Sequence, residues 1–157
     1  MKTNAARILD GLKIPYDLCT YEVDESDLSA QHVASKVNMP LGQVFKTLVA
    51  RGDKTGVIMA CIPGAAELDL KVLASVSGNK KVEMVALKEV QPLTGYIRGG
   101  VSPLGPKKRY PVFIDDSAAN WPVIAVSAGV RGCQIIVAPD SLVQAVNGRL
   151  CPITRGE

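Results

Sequence analysis

The sequence predicts a mixed α/β fold, of the α+β kind, built on a mixed β-sheet. Helix-period stretches and β-rich runs interleave, but without the regular βαβ spacing that a doubly wound parallel sheet requires. Two β-rich runs, 44–50 and 57–62, flank the glycine-bearing loop R-G-D-K-T-G and read as an antiparallel hairpin. The last third of the chain is β-rich as well.

Residues 4–13 place Ala5, Ile8, Leu9 and Leu12 at helical spacing, and Gly11 and Pro15 mark the exit into a strand over 16–23. After the acidic loop 24–27, Ser29 caps a helix carrying Ala30, Val33, Ala34 and Val37, which stops near Pro40. The hairpin follows. A helix over 69–77 ends at Gly78, a short strand is expected over 81–85, and a helix over 87–90 is expected to halt before Pro92 and Gly95. Strands are expected at 111–114, 122–127 and 133–138. Asp140 or Ser141 then caps a last helix ending at Gly148.

The chain has 157 residues and 47% hydrophobic content, with no repeat or linker, so one domain over 1–157 with one core is expected. The start of the chain carries Arg7 and Asp10 among its apolar residues, unlike a secretory leader. The longest nearly apolar stretch, 57–66, is about half the ~20 residues a membrane span needs. A cytoplasmic protein with no membrane partner is the expectation. Cys19, Cys61, Cys133 and Cys151 lack C-x-x-C pairing, which favours reduced thiols. A formal charge of +3 is too mild for tight nucleic-acid binding by charge alone, although Lys80, Lys81, Arg98, Lys107, Lys108 and Arg109 form local basic tracts.

Several chemistries lose ground on residue supply. The only histidine, His32, lies off the Val33/Val37 stripe and is expected on the surface, so a Ser-His-Asp or Cys-His arrangement has no base to use. The acidic run Glu22, Asp24, Glu25, Asp27 lacks the glycine turn of a calcium loop. The segment G-V-S-P-L-G-P-K at 100–107 approaches a phosphate loop but puts Pro106, which has no N–H, where lysine should follow glycine. Lys46 is the most informative residue. Period two places it on a face with Val44, Leu48 and Ala50, where it either snorkels out at a sheet edge or projects into a pocket as a hydrogen-bond donor. The turn S-A-G-V-R-G at 127–132 is either a plain hairpin turn or a nest of amides for an oxygen ligand.

V-F-K-T-L at 44–48, G-Y-I-R-G-G-V-S-P-L-G at 95–105 and S-A-G-V-R-G at 127–132, in this order, resemble the YbaK-type aminoacyl-tRNA deacylases, the family of the prolyl-tRNA synthetase-associated editing domain. L-D-L-K at 68–71 and K-K-V-E-M at 80–84 support the likeness, which spans essentially the whole chain. The resemblance implies a partly rolled, barrel-like mixed sheet with flanking helices, and a pocket for the 3′ end of an aminoacylated tRNA. It implies no cofactor and no metal, and prolyl-tRNA synthetase as a partner. Cysteine attached to the proline tRNA is the implied substrate, with the substrate's own thiol attacking its ester. By position, Lys46, Gly100, Ser127 and Gly129 would form the catalytic set, Lys46 on the terminal ribose or phosphate and the turn amides on the oxyanion. Tyr21, Leu28, Thr47, Ser102 and Pro103 would contact substrate, with Leu28 where an aromatic residue can stand in such proteins. Alternatives are a deacylase for alanine that uses water, a non-catalytic module that binds the synthetase or RNA, and a small-molecule binder using the glycine loops.

Overall fold

The computed structural model describes residues 3–155; Met1, Lys2, Gly156 and Glu157, which the expected domain includes, lie outside the described residues. The chain opens with α1 (Asn4–Gly11), whose Thr3 hydroxyl accepts the Ala6 N–H as a cap. Strand β1 (Asp17–Thr20) follows, then α2 (Ala30–Val37), capped by Ser29 and closed by Asn38 in the left-handed region. The hairpin is β2 (Phe45–Gly52) with β3 (Gly56–Pro63). Its tip is pinned from a distance, since Asn79 Oδ1 accepts from Lys54 N and Thr55 N at 2.8 and 3.0 Å.

Next come β4 (Glu67–Leu68), α3 (Leu70–Ser77), β5 (Val82–Met84), α4 (Leu87–Thr94) and β6 (Val112–Asp115). The chain continues through β7 (Ile124–Ser127), β8 (Cys133–Val137), α5 (Pro139–Val146), β9 (Arg149–Cys151) and β10 (Thr154–Arg155). A five-stranded mixed sheet runs β5-β2-β3-β6-β9, with β6 and β9 parallel to their neighbours. A three-stranded antiparallel sheet runs β1-β8-β7, and β4 pairs with β10. The two larger sheets touch through one parallel bridge, Val44 to Ala125.

Between them lies the main core, with Leu9, Phe45, Met59, Leu104, Ile114, Ile124, Ile135 and Leu142 all buried. A second cluster, with Ile58, Ile62, Leu73, Phe113 and Ile153, fills the other face of the large sheet beneath α3. Both faces being covered, β3 reads as a continuous apolar run rather than an alternation.

The mixed fold with flanking helices is as expected, and among the described residues the strands form no closed barrel but divide among three sheets, the two larger ones joined at the Val44–Ala125 bridge. Helix α4 runs through Pro92 to Thr94 instead of stopping at Val90. Proline removes one amide there, and the carbonyls at this end find other donors: Thr94 Oγ1 to Val90 O at 2.7 Å, Tyr110 OH to Leu93 O at 2.6 Å and Lys107 N to Thr94 O at 2.8 Å. Helix α5 begins at Pro139, whose fixed φ suits the first helical position, so Asp140 and Ser141 lie inside it. Strand β1 ends at Thr20, although the Tyr21 N–H still reaches Gly132 O at 2.9 Å.

Candidate active site at two open strand edges

The main pocket, about 700 Å³, opens where two strands run out of partners. On β2 the Val44 carbonyl accepts the Gly64 N–H at 2.8 Å, which sets the alternation of the hairpin ladder. Main-chain groups of Val44, Lys46, Leu48 and Ala50 therefore face β3, and those of Phe45, Thr47 and Val49 face the other edge. Strand β5 covers that edge only from Ala50 onward, and Val85 N takes the Val49 carbonyl at 3.2 Å. The Phe45 N–H is taken up by the Val44–Ala125 bridge, which leaves the Phe45 C=O and the N–H and C=O of Thr47 facing the pocket.

On β7, Ala128 N donates to Cys133 O at 3.1 Å, so Ser127 and Gln134 form a pair that exchanges no ladder bonds. The Ser127 N–H consequently points out of the β7 edge on which Ala125 bridges Val44. Residues from the segments 28–33, 64–67, 84–90 and 98–101, among them Leu28, Val33, Glu67, Val90 and Arg98, supply the remaining walls.

Lys46 lines this pocket, and its Nζ donates to Gly64 O at 3.1 Å. The carbonyl is a firm anchor, because a Cβ on Gly64 would meet Ala30 Cβ at 2.4 Å and Leu41 Cδ1 at 2.9 Å. Thr47, on the other face of β2, lines the pocket with its hydroxyl 3.6 Å from Cys61 Sγ. Burial pushes the Cys61 thiol up to about 12, far from the thiolate that attacks esters. His32 is only half-buried, its Nδ1 3.8 Å from Asp27, and it lines a separate small crevice rather than the pocket. The expected surface imidazole is thus partly covered, and its Nε2 is buried without a partner. Among the described residues, the pocket wall carries no nucleophile with a neighbouring imidazole base.

Of the residues singled out by sequence, Lys46, Thr47, Leu28 and Ser127 meet on the pocket wall. The others stand behind it. Gly100 gives its N–H to Ile97 O at 2.9 Å and packs so tightly that a Cβ would lie 3.2 Å from the Val130 carbonyl carbon. Gly129 has φ +98 and donates its N–H to Ser127 Oγ at 3.1 Å, and a Cβ there would strike the Tyr96 ring at 2.9 Å. Its amide is therefore committed to Ser127 rather than free for an oxyanion.

Ser102 is fully buried and caps Leu104 N at 3.2 Å. Pro103 lines a second hollow of about 330 Å³ with Asn4, Ile8 and Arg109. Tyr21 lines the His32 crevice behind Leu28. The G-Y-I-R-G-G-V-S-P-L-G segment is a brace: the Tyr96 hydroxyl reaches Leu104 O while its ring lies against Gly129. Burial raises the Tyr96 hydroxyl pKa, keeping it a donor.

Arg131 fastens the rim. Its Nε donates to Arg98 O at 2.8 Å, and its guanidinium pairs with Glu25 of the acidic loop. Asp24 and Asp27 accept from Ser26 and Ser29, bonds that hold both carboxyls below the usual carboxylate range. The acidic run is thus a hydrogen-bonded turn. The sequence does not single out Gln134, yet it is 4% exposed, lines the pocket, and leaves its Oε1 without a hydrogen bond. Its signal was the one that exposed Lys46: a polar residue inside an apolar strand, here C-Q-I-I-V.

A pocket on a mixed sheet, walled by main-chain edges and by the side chains of Lys46 and Arg98, is what this fold presents to a ligand. The chain belongs to the aminoacyl-tRNA editing domain family, whose model matches residues 25–145. It is 48% identical, over 99% of this chain and 95% of the relative, to an Enterococcus faecalis protein provisionally named Cys-tRNA(Pro)/Cys-tRNA(Cys) deacylase EbsC. A stretch covering 51% of the chain is 30% identical to 14% of the proline–tRNA ligase of Thermosipho africanus. A crystal structure of a provisionally assigned trans-editing enzyme for prolyl tRNA synthetase has the same fold, with a TM-score of 0.82 over 99% of both chains at 23% identity. Among the described residues no helix is long and apolar enough to cross a membrane.

Proposed function

We propose that this chain forms one editing domain, a deacylase that removes cysteine from mischarged Cys-tRNA(Pro). The observation that carries the reading is a pocket with donors whose wall, among the described residues, holds no nucleophile with an imidazole base beside it. Its volume of about 700 Å³ lies within the roughly 300–1,000 Å³ of small-ligand sites, enough for a terminal aminoacylated nucleoside. The name of the Enterococcus relative supports cysteine as the amino acid.

In the proposed step, the substrate thiol gives up its proton and its sulfur attacks the ester carbonyl carbon. The C–O bond to the ribose breaks, the ribose oxygen takes the proton, and tRNA leaves with a cyclic cysteine thiolactone for water to open. Ser127 N–H, on the open β7 edge, holds the developing oxyanion, and one such donor is worth about 3 kcal/mol. Lys46 Nζ moves from Gly64 O to the terminal ribose or phosphate. Folding the ester against Thr47 and Leu28 aligns the internal attack, an effect that reaches about 7–11 kcal/mol in well-oriented cases.

Prolyl-tRNA synthetase is the proposed partner, supplying tRNA identity that a +3 chain cannot read by charge, and the cytoplasm is the proposed location. The test is release of amino acid from cysteinyl-, alanyl- and prolyl-tRNA by the purified protein. Cysteine alone is expected. Release of alanine at a comparable rate would replace the thiol mechanism with attack by water, and no release from any of the three would leave a binding module.

A further inference from the structure

We infer that Gln134 recognises the free α-ammonium group of the substrate, restricting this pocket to esters of unblocked amino acids and excluding formylated, acetylated and peptidyl esters. The inference rests on the aminoacyl-ester reading above and deepens it. A buried side-chain amide nearly always finds a partner, because leaving one unpaired away from water is costly. Gln134 is 4% exposed, its Oε1 has no hydrogen bond, and it lines the pocket. The missing partner is therefore expected to come from whatever enters.

Its place on the sheet says which part of the substrate that is. Gln134 lies directly across from Ser127 in a pair without ladder bonds, which brings the two Cβ atoms to about 4.5–5.5 Å on one face. The same face continues under α2, where Ala125 packs with Ala34, Val44, Val33 and Ile136. Only the last pair, Ser127 with Gln134, opens onto the pocket. A carbonyl oxygen held by Ser127 N–H has the substrate α-carbon as its next neighbour. Of the groups on that carbon, the α-nitrogen is the strong donor that the unpaired Gln134 Oε1 can accept from.

Opposite Ser127, Gln134 is the lining side chain that offers an unpaired acceptor. Lys46, Arg98 and Ser127 N–H already provide donors, and the one lining carboxylate, Glu67, lies 3.5 Å from the Arg155 guanidinium. An ammonium has donors only, so it must be met by oxygen. A neutral amide oxygen accepts from the ammonium and from the free amine alike. An acyl group on the nitrogen removes the charge and all but one donor, and adds bulk against a residue with no room to withdraw.

The test uses 3′-cysteinylamino-3′-deoxyadenosine, whose amide link cannot be cleaved, and its N-acetyl form, with binding measured by calorimetry. The wild-type protein is expected to prefer the free amine by at least about 10-fold, the weight of one hydrogen bond to a charged group. Gln134→Leu is expected to reduce the preference to within about 3-fold, whereas Gln134→Glu, which keeps an acceptor, should retain it. Gln134→Met serves as a second apolar variant should Gln134→Leu fold poorly.

Equal affinity of the wild-type protein for the two compounds, or binding of neither, overturns the inference without any variant. A folded Gln134→Leu protein that keeps the full preference overturns it too. Because the compound does not react, amine-dependent binding by a protein that releases no cysteine from tRNA would uphold Gln134 recognition and count against the deacylase reading alone.

Discussion

Replacing Lys46 by methionine keeps the length and most of the apolar stem of the side chain but deletes its charge. Lys46 Nζ donates to Gly64 O at 3.1 Å, and the residue is only half-buried. Water can reach the abandoned carbonyl, and Gly64 stays fixed by its own N–H on Val44 O. The expected loss of stability is about 0.5–1.5 kcal/mol, a fall in Tm of a few degrees for a chain of this size. On the substrate the same ammonium makes a charge-assisted bond worth about 1.5–3 kcal/mol. At roughly 1.4 kcal/mol per decade, kcat/KM on Cys-tRNA(Pro) should fall by about 10- to 150-fold. Single-turnover release of labelled cysteine, beside thermal denaturation, separates the two effects. Activity within threefold of the wild type at unchanged Tm would refute a binding role for Lys46, and loss of activity through unfolding would make the Gly64 bond its main purpose.

Gly129→Ala should cost more than about 2 kcal/mol in urea denaturation, since it forces a side chain into φ +98 and onto the Tyr96 ring; a cost below about 1 kcal/mol would mean that the turn yields freely. Cys61, its thiol pushed up to about 12, should resist iodoacetamide at pH 8 in the folded protein, and Cys61→Ala should keep most of its deacylase activity. Rapid alkylation with loss of activity would revive a protein nucleophile. Asp53 accepts the Lys80 and Lys81 amides at 3.0 and 3.2 Å beside the hairpin tip, bonds that hold its carboxyl below the usual range. With the folded value depressed, its stabilising contribution is complete above the ordinary aspartate range and is lost as pH falls through the folded value. Tm should therefore fall less steeply between pH 5 and pH 3 in Asp53→Asn than in the wild type. Identical slopes would count against those bonds.

Local signals made most elements legible. The cap at Ser29, the left-handed exit at Gly78 and the hairpin loop act within a few residues of themselves, so pattern reading finds them, whereas Asp69, expected inside its helix, is the cap. Strands β4, β9 and β10 have two or three residues each and exist only because distant segments align them, β9 against β6 and β10 against β4. The stop expected at Pro92 was overridden by donors from Tyr110 and Lys107, a dozen or more residues away.

At the site, Lys46 was visible as a polar residue in an apolar strand. Gln134 carries the same mark and gains meaning only once β7 places Ser127 opposite it. The glycine-rich segment, the most distinctive stretch to the eye, mostly braces the wall. A motif reports that backbone must pack closely, and not whether a ligand or another strand is what it packs against.

The two open edges have a consequence for how such a pocket can change. In the proposed reaction the oxyanion donor is the Ser127 amide, which any L-residue would supply, whereas the side chains of Leu28, Thr47 and Gln134 line the same pocket and give it its shape. Substitutions can therefore retune which residue is removed while leaving the reaction machinery in place. An unpaired strand edge is ordinarily an invitation to aggregate. Here the edge lies inside a pocket walled by residues of the segments 28–33 and 98–101 and not on an open flank of the sheet.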